Sequence, residues 1–198
     1  MWRATEMTAV DEYGMTKFFE GFEPPEGVTA ELLRGEIVMM ASPDLVHNVI
    51  VMLIGRQIPL ERWYSLQTQD VDIVDEASEP VPDLVVVAPD ALPDSGRLLP
   101  SPLITMVVEV VSKTSVTRDY GVKRSIYAAG KVPAYLIADP IMAQCVLLTN
   151  PAGQGEDADY RRQEIIKFGD PLPLEILGLE LDTSDFGTFP GVRPHRYP

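Results

Sequence analysis

The sequence predicts a mixed α/β fold in which helices cover the faces of a central β-sheet. Two almost wholly apolar runs, at 84–88 and 103–111, are typical of strands that are buried on both faces. A helical pattern at 118–129 follows the second run and precedes another apolar stretch at 133–138. Apolar strands followed by a crossover helix and a further strand imply a mixed sheet with helices on its faces.

The elements before this core are predicted from turn and capping residues. Residues 8–20 form a short helical pattern, and prolines and a glycine then break the chain. Strands are expected at 29–34 and 36–41, as a hairpin with Arg34-Gly35 in its turn. A second helix is expected from Ser42 to Ile58, with Ser42 as its cap and Pro43 in the first helical position. Its apolar face comprises Val46, Val49, Ile50, Leu53 and Ile54.

The remaining elements connect or follow the core. A loosely alternating strand is expected at 64–74, before an acidic loop, and a Pro-rich connection at 89–102. Thr117 or Asp119 is the expected cap of the 118–129 helix, which Gly130 ends. Further strands are predicted at 143–149, 160–168 and 174–181. Residues 191–198 are expected to fray or to form an arm.

Length and composition are those of one globular domain in the cytoplasm. The chain has 198 residues and contains no run of about 18 apolar residues, so no membrane span is expected. Residues 1–10 lack the apolar core of a signal peptide. Cys145 is the only cysteine and lies in an apolar stretch, which favours a buried thiol over a disulfide.

Charge is abundant and uneven. The net charge of -14 argues against a large electrostatic surface for nucleic acid. Residues 70–94 contain eight acids and no Lys or Arg, whereas residues 113–131 contain five basic residues and one acid. Such neighbouring segments suit a metal site that faces a phosphate. An acidic loop beside a solvated helix is the simpler alternative.

Glu109 and Asp83 are the leading candidates for chemistry. Glu109 interrupts the run MVVEVV, and a carboxylate buried there needs a partner, either a cation-bearing side chain or a metal. Asp83 follows Pro82 at the start of another strand, where its side chain can enter a cleft. Two carboxylates on neighbouring strands form an oxygen site that Mg²⁺ prefers. A Pro-Asp turn is the structural alternative for Asp83.

Lys123 adds a positive charge on the helix that follows the Glu109 strand. Spacings of four residues put Asp119, Lys123 and Tyr127 on one helix face. An ammonium group near two carboxylates could orient a water molecule and stabilise charge in a transition state. An exposed pair between Lys123 and Asp119 is the alternative.

Three segments resemble the Uma2 (DUF820) family of restriction endonucleases, a branch of the PD-(D/E)XK superfamily. They are AELLRGEIVMMASPDLVH, VPDLVVVAPD and VVEVVSKTSVTRDYGVKRSIYAAGKVPAYLIADP, and the resemblance covers about residues 29–185. It implies a restriction-endonuclease-like core with an added N-terminal hairpin. Residues 1–28 would then be a helix and linker, 29–185 the endonuclease domain, and 186–198 a tail.

The resemblance also implies a site. Asp83 and Glu109 match the two acids of the motif, and the backbone carbonyl of Val110 would be a third metal ligand. The superfamily lysine is expected at position 111, which is Val111 here; as in other Uma2-like sequences, it is expected on the helix instead, as Lys123. Mg²⁺ or Mn²⁺ would be the cofactor.

Accessory residues and partners follow from the same resemblance. His47 matches the S-P-x-x-x-H pattern and could touch a water or phosphate, or be a half-buried helix residue. Glu36 could support the site or be only a strand residue. The expected activity is hydrolysis of phosphodiester bonds in nucleic acid, DNA above all, by a homodimer with no membrane partner. Two alternatives stay open: a weakly active or inactive dimeric regulatory module, and a structural acid in which Glu109 pairs with Lys123 or Arg118.

Overall fold

The computed structural model describes residues 9–197 of the chain, with side chains from residue 14 onward. Thr8, the first residue of the predicted first helix, and Pro198 lie outside the described residues. So do residues 1–8 of the segment 1–10 that was considered for a signal peptide. The helices are α1 (Ala9–Glu20), α2 (Leu45–Gly55) and α3 (Lys123–Ala129). The strands are β1 (Val28–Leu33), β2 (Glu36–Ala41), β3 (Tyr64–Gln67), β4 (Val71–Asp72), β5 (Leu84–Val87), β6 (Leu99–Pro100), β7 (Met106–Val110), β8 (Ala134–Asp139), β9 (Gln144–Ala152), β10 (Asp159–Lys167), β11 (Leu172–Leu174) and β12 (Leu179–Leu181).

A six-stranded mixed sheet forms the centre of the molecule, in the order β10-β9-β8-β7-β5-β3. Strands β7 and β8 are parallel, with Met106 opposite Ala134, and α3 lies in the crossover between them. The neighbouring pairs β5–β7 and β8–β9 are antiparallel. The predicted mixed sheet with a crossover helix is therefore confirmed.

Each face of the sheet carries its own apolar core. Val85, Val107 and Tyr135 pack with Ile126 and Tyr127 of α3 on one face. On the other face, β5, β7 and β8 pack against α2 and the leucines around β11 and β12. Successive side chains of a strand point to opposite faces, so the continuous apolar runs follow from burial on both sides.

The N-terminal hairpin is paired only with itself but is fixed to the main body. Its register places Leu33 opposite Glu36, and Arg34 and Gly35 take positive φ angles of 49° and 75° in the turn. Glu79 pairs with Leu32 through two backbone hydrogen bonds of 2.7 and 3.3 Å. The predicted hairpin is thus confirmed, and it lies beside the segment that leads to β5.

The cap of α2 differs from the prediction. Asp44, and not Ser42, is the cap: its side chain accepts a hydrogen bond of 2.9 Å from the N–H of Val46. The buried face of α2 also differs, since Val51 is 7% exposed and Val49 is 37% exposed. The apolar pattern was broad enough to allow either assignment.

The start of the third helix also differs. Residues Arg118–Val122 form a π-helical turn that leads directly into α3. Thr117 makes no side-chain capping bond, and Asp119 lies inside the turn. Neither residue therefore caps the helix as predicted. Gly130 does end the helix, and its N–H donates to the carbonyl of Ile126.

Two predicted strands are divided in the structure. The strand expected at 64–74 is β3 and β4, separated at Thr68, which has a φ of 51°. The stretch expected as one strand at 174–181 instead spans the end of β11, a turn that includes Gly178, and β12. Leu172, Leu174 and Leu181 are fully buried within the chain.

The C-terminal segment folds back across the body as an arm. Phe186 and Phe189 are 7% and 6% exposed. Farther along, Nε2 of His195 lies 2.6 Å from Oδ2 of the buried Asp139. Of the two alternatives for the end of the chain, residues 191–197 therefore form an arm. Among the described helices, none is long and apolar enough to cross a membrane.

Candidate active site

The pairing of β5 with β7 brings Asp83 and Glu109 together. Leu84 lies opposite Val108, so the same register continued by one residue sets Asp83 opposite Glu109. Side chains in such cross-strand positions share a face, with Cβ atoms about 4.5–5.5 Å apart. The N–H of Val110 also donates a 2.7 Å hydrogen bond to Oδ2 of Asp83. Both acids line one cleft of about 440 Å³.

Lys123, the first residue of α3, points into this cleft. Its Nζ donates a 2.7 Å hydrogen bond to Oε1 of Glu109, and it is only 2% exposed. Burial lowers the pKa of Lys123, but the charges of Glu109 and Glu31 outweigh it and raise the pKa above its usual value. Lys123 is therefore a fixed positive charge and not a proton acceptor.

Glu109 is buried and held at one oxygen. Its Oε1 accepts hydrogen bonds of 2.7 Å from both Lys123 and the hydroxyl of Tyr127. Burial raises its pKa well above the usual range, Lys123 opposes this, and the neighbouring carboxylates add to it. Glu109 therefore binds a proton more readily than an ordinary glutamate.

Glu31 is a site residue that the sequence did not single out. It lies on β1, is 0% exposed, and its Oε1 is 2.6 Å from Nζ of Lys123. The same oxygen accepts a 2.7 Å hydrogen bond from the N–H of Val81, two residues before Asp83. Its Oε2 is buried without a hydrogen-bond partner among the described residues. The one available signal was a charge at a core position of the strand VTAELL.

Asp119 is a third buried acid whose charge acts on Lys123. The hydroxyl of Ser115 donates a short hydrogen bond to its Oδ2. Burial raises the pKa of Asp119 to about 7, against the lowering effects of Lys123 and Ser115. The π-helical turn carries Asp119 and α3 carries Lys123, so both line the same cleft.

His47 contacts the site from the opposite face of the sheet. It lies on α2, is 6% exposed, and its Nε2 is 3.0 Å from Oδ2 of Asp83. Burial lowers the pKa of His47, but the hydrogen bond to Asp83 and the charge of Asp83 outweigh burial. The pKa of His47 therefore lies above its usual value. A histidine beside a carboxylate can hold that carboxylate in place and carry a proton.

Other sequence candidates lie elsewhere. Glu36 is exposed at the start of β2 and does not line the cleft. In the acidic segment at 70–94, Asp70 forms a 2.6 Å ion pair with Arg97. On α3, Arg124 pairs with Asp159 at 2.5 Å and does not line the cleft. The cleft therefore keeps its open volume beside Glu109 and Asp83.

The donor set suits a cation that needs few protein ligands. No group of three or more His, Cys, Asp or Glu side chains within the described residues is arranged to hold a metal. Asp83 and Glu109 each keep one carboxylate oxygen, Oδ1 and Oε2, that accepts no hydrogen bond from those residues. Mg²⁺ is commonly held by one or two carboxylates, with water and substrate phosphate completing its shell. Asp83 and Glu109 therefore fit the protein ligands that Mg²⁺ needs.

Comparisons with known proteins agree with this architecture. The family model described as "Uma2: Putative restriction endonuclease" matches residues 17–184. A crystal structure from Anabaena variabilis ATCC 29413, described as a "putative nuclease belonging to DUF820", superposes with a TM-score of 0.65 at 15% sequence identity. The match covers 86% of this chain and 96% of that one. No curated protein matches the sequence. Since the family model spans most of the chain, the protein belongs to the Uma2 family.

Proposed function

We propose that the protein is a metal-dependent endonuclease that hydrolyses phosphodiester bonds in nucleic acid, with DNA as the expected substrate. One observation carries this proposal: two carboxylates from neighbouring strands and one ammonium group converge in a single cleft. Asp83 and Glu109, with the carbonyl of Val110, would hold Mg²⁺ or Mn²⁺. When bound, such a cation supplies Lewis acidity that polarises phosphoryl oxygens and makes water a stronger acid.

The side chains divide the remaining work. Lys123, held between Glu31 and Glu109, keeps a positive charge that can orient water and stabilise negative charge on the phosphoryl group. His47 fixes Oδ2 of Asp83, which leaves Oδ1 for the cation. Tyr127 does the same for Glu109 by donating to its Oε1. Each acid is thus presented in one orientation before any ligand binds.

A dimeric regulatory module with the nuclease fold is the second candidate. The net charge of -14 favours it, because tight binding to DNA normally needs a basic surface. This candidate predicts no cation binding at Asp83. A homodimer is proposed under either function, without an assigned interface.

A cleavage assay separates the two functions. Single-stranded and duplex DNA and RNA are incubated with the protein in Mg²⁺, in Mn²⁺ and in EDTA. The endonuclease proposal expects cleavage only with a divalent cation, and its loss in Asp83→Ala and Glu109→Ala variants that remain folded. Cleavage that persists in the double variant would refute this site. Absence of both cleavage and cation binding would favour the regulatory module.

A further inference from the structure

Arg118 is an arginine without an acidic partner in a cleft full of acids. It lines the cleft with Asp83, Glu109 and Asp119. Within the described part of the chain it forms no ion pair, and its one hydrogen bond there runs from Nη2 to the thioether sulfur of Met40 at 3.0 Å. Its Nε is buried and has no hydrogen-bond partner among those residues.

Three other half-buried or partly exposed arginines of the described residues do have acidic partners. Arg34 pairs with Glu76 at 2.8 Å, Arg97 with both Asp70 and Glu79, and Arg124 with Asp159. Arg118 has carboxylates nearby and bonds to none of them. Its charge acts on Asp119 only at a distance, where it lowers that pKa.

The unmet hydrogen-bonding capacity is costly unless a ligand uses it. A guanidinium has five N–H donors in a planar fork, and a thioether is a weak acceptor. A buried donor without a partner costs about 1–3 kcal/mol. An apolar side chain could contact Met40 without this cost. A half-buried guanidinium in this cleft, with its Nε–H unpaired among the described residues, is placed to bind a ligand with strong acceptor oxygens.

The cleft restricts which anion can enter. Glu31, Asp83, Glu109 and Asp119 repel a free anion, and Lys123 is already engaged by two carboxylates. A phosphodiester can meet a cation at Asp83 and Glu109 with one oxygen and Arg118 with another. Arginine forms two parallel hydrogen bonds to phosphate, which a point charge cannot do.

We propose that Arg118 binds a phosphate oxygen of the nucleic-acid backbone, next to the cation site; this inference rests on the proposed endonuclease function. Arg118 would supply affinity and would position the scissile phosphodiester. One residue of the basic segment at 113–131 would then contact the substrate. Arg124, six positions on, belongs to the same segment but is held outside the cleft by Asp159.

The test is equilibrium binding with matched variants. Labelled single-stranded and duplex DNA are titrated with the wild-type chain, Arg118→Gln, Arg118→Lys and Arg124→Gln, in Ca²⁺ and over a range of salt concentrations. Arg118→Gln should weaken binding about tenfold and reduce the slope of log K against log salt by about 0.7 for the single strand or about 0.9 for the duplex. Arg118→Lys should restore the slope but only part of the affinity, and Arg124→Gln should match the wild type.

The outcomes separate this inference from hydrolysis itself. Equal binding by Arg118→Gln and the wild type overturns the phosphate site, as does equal weakening by Arg124→Gln. Failure of the wild type to bind either DNA overturns it too. If Arg118→Gln loses its melting transition, Arg118→Lys decides: unchanged affinity and unchanged melting refute a bidentate contact. Binding that depends on Arg118 without cleavage in Mg²⁺ would support the phosphate site and remove the hydrolytic function.

Discussion

The ammonium of Lys123 lies 2.6 Å from the carboxylate of Glu31, so the first helix turn after the π-helical segment is ionically joined to the N-terminal hairpin. Both side chains are at most 2% exposed. The hairpin has no strand partner in the central sheet. Glu31 therefore connects an accessory hairpin to the residues proposed for catalysis, and it also holds the segment before Asp83 through Val81.

Glu31→Gln is expected to impair both stability and activity. The amide oxygen can still accept from Val81, but Lys123 loses one of its two carboxylates. Removing one partner of a buried ion pair costs about 3–5 kcal/mol of folding stability. Because Glu109 still pairs with Lys123, we expect a loss at or below the lower end of this range. Urea denaturation and the cleavage assay measure the two effects.

Glu79→Gln is the matched control for this variant. Glu79 is 2% exposed, pairs with Arg97 and also has one buried oxygen without a partner in the described chain. It lies outside the cleft. We expect it to lose stability but to keep kcat. If both variants lose stability equally and neither changes kcat, Glu31 has only a structural role.

Lys123→Met should make stability strongly dependent on pH. Without the ammonium, the influence that lowers the pKa of Glu109 disappears, so that pKa rises further above its usual range. An acid whose pKa is higher in the folded state than in the unfolded state stabilises the fold at a pH below its unfolded-state pKa. This stabilisation is lost as the pH rises through the folded-state pKa. Denaturation at pH 5 and pH 8 should therefore show the larger loss at pH 8. A loss that is equal at both values contradicts the predicted charge balance.

In the metal-free protein, the free energy of unfolding should depend less on pH in Asp119→Asn than in the wild type. The pKa of Asp119 is raised to about 7, first by burial, so its contribution to stability is lost between its unfolded pKa, about 4, and pH 7. Between pH 5 and pH 8 this amounts to roughly 2–3 kcal/mol. A residual slope from Glu109 should remain. Asp90→Asn, an exposed loop change, should keep the wild-type slope.

Divalent cations should raise the melting temperature of the wild-type chain and EDTA should reverse the effect. A ligand that binds only the folded state stabilises it by about 2.7 kcal/mol at a hundred times its dissociation constant. Asp83→Asn should abolish this gain, whereas Asp70→Asn, which alters an acid outside the cleft, should preserve it. A gain that survives in Asp83→Asn would locate the cation elsewhere.

Cys145 should report on global unfolding. It is fully buried on β9, and burial raises its thiol pKa to about 12. Both effects suppress the reactive thiolate. At pH 8 a disulfide reagent should therefore label it only as fast as the sheet opens, and labelling in urea should be rapid. Fast labelling of the native protein would contradict this packing.

The sequence identified the sheet and its two acids because local patterns were sufficient. Apolar runs long enough for strands predicted β5 and β7. A carboxylate directly before the first run and another within the second were visible without tertiary information. Spacings of four residues likewise placed Asp119 and Lys123 on one helix face. Their roles in catalysis stay predictions, although all four residues line the same cleft.

Residues brought in by tertiary contacts could not be found in the same way. Glu31 reaches Lys123 only because the hairpin lies across the cleft, and alternation within a short strand does not reveal that position. The break at Thr68 depends on a left-handed backbone in a residue without a strong preference for it. The sequence offered Arg118 as an alternative partner of Glu109, and only tertiary structure shows that it pairs with no acid among the described residues.

The arm that carries Phe189 gives the site a boundary different from that of the family. Phe189 lines the cleft and lies 4.9 Å below the ammonium of Lys113, yet the family match stops at residue 184. A protein trimmed to the matched region would keep the acids and bases that line the cleft, and it would lose Phe189 from the cleft wall. The shape of the space open to a ligand beside Asp83 and Glu109 is thus set in part by residues that follow the matched region.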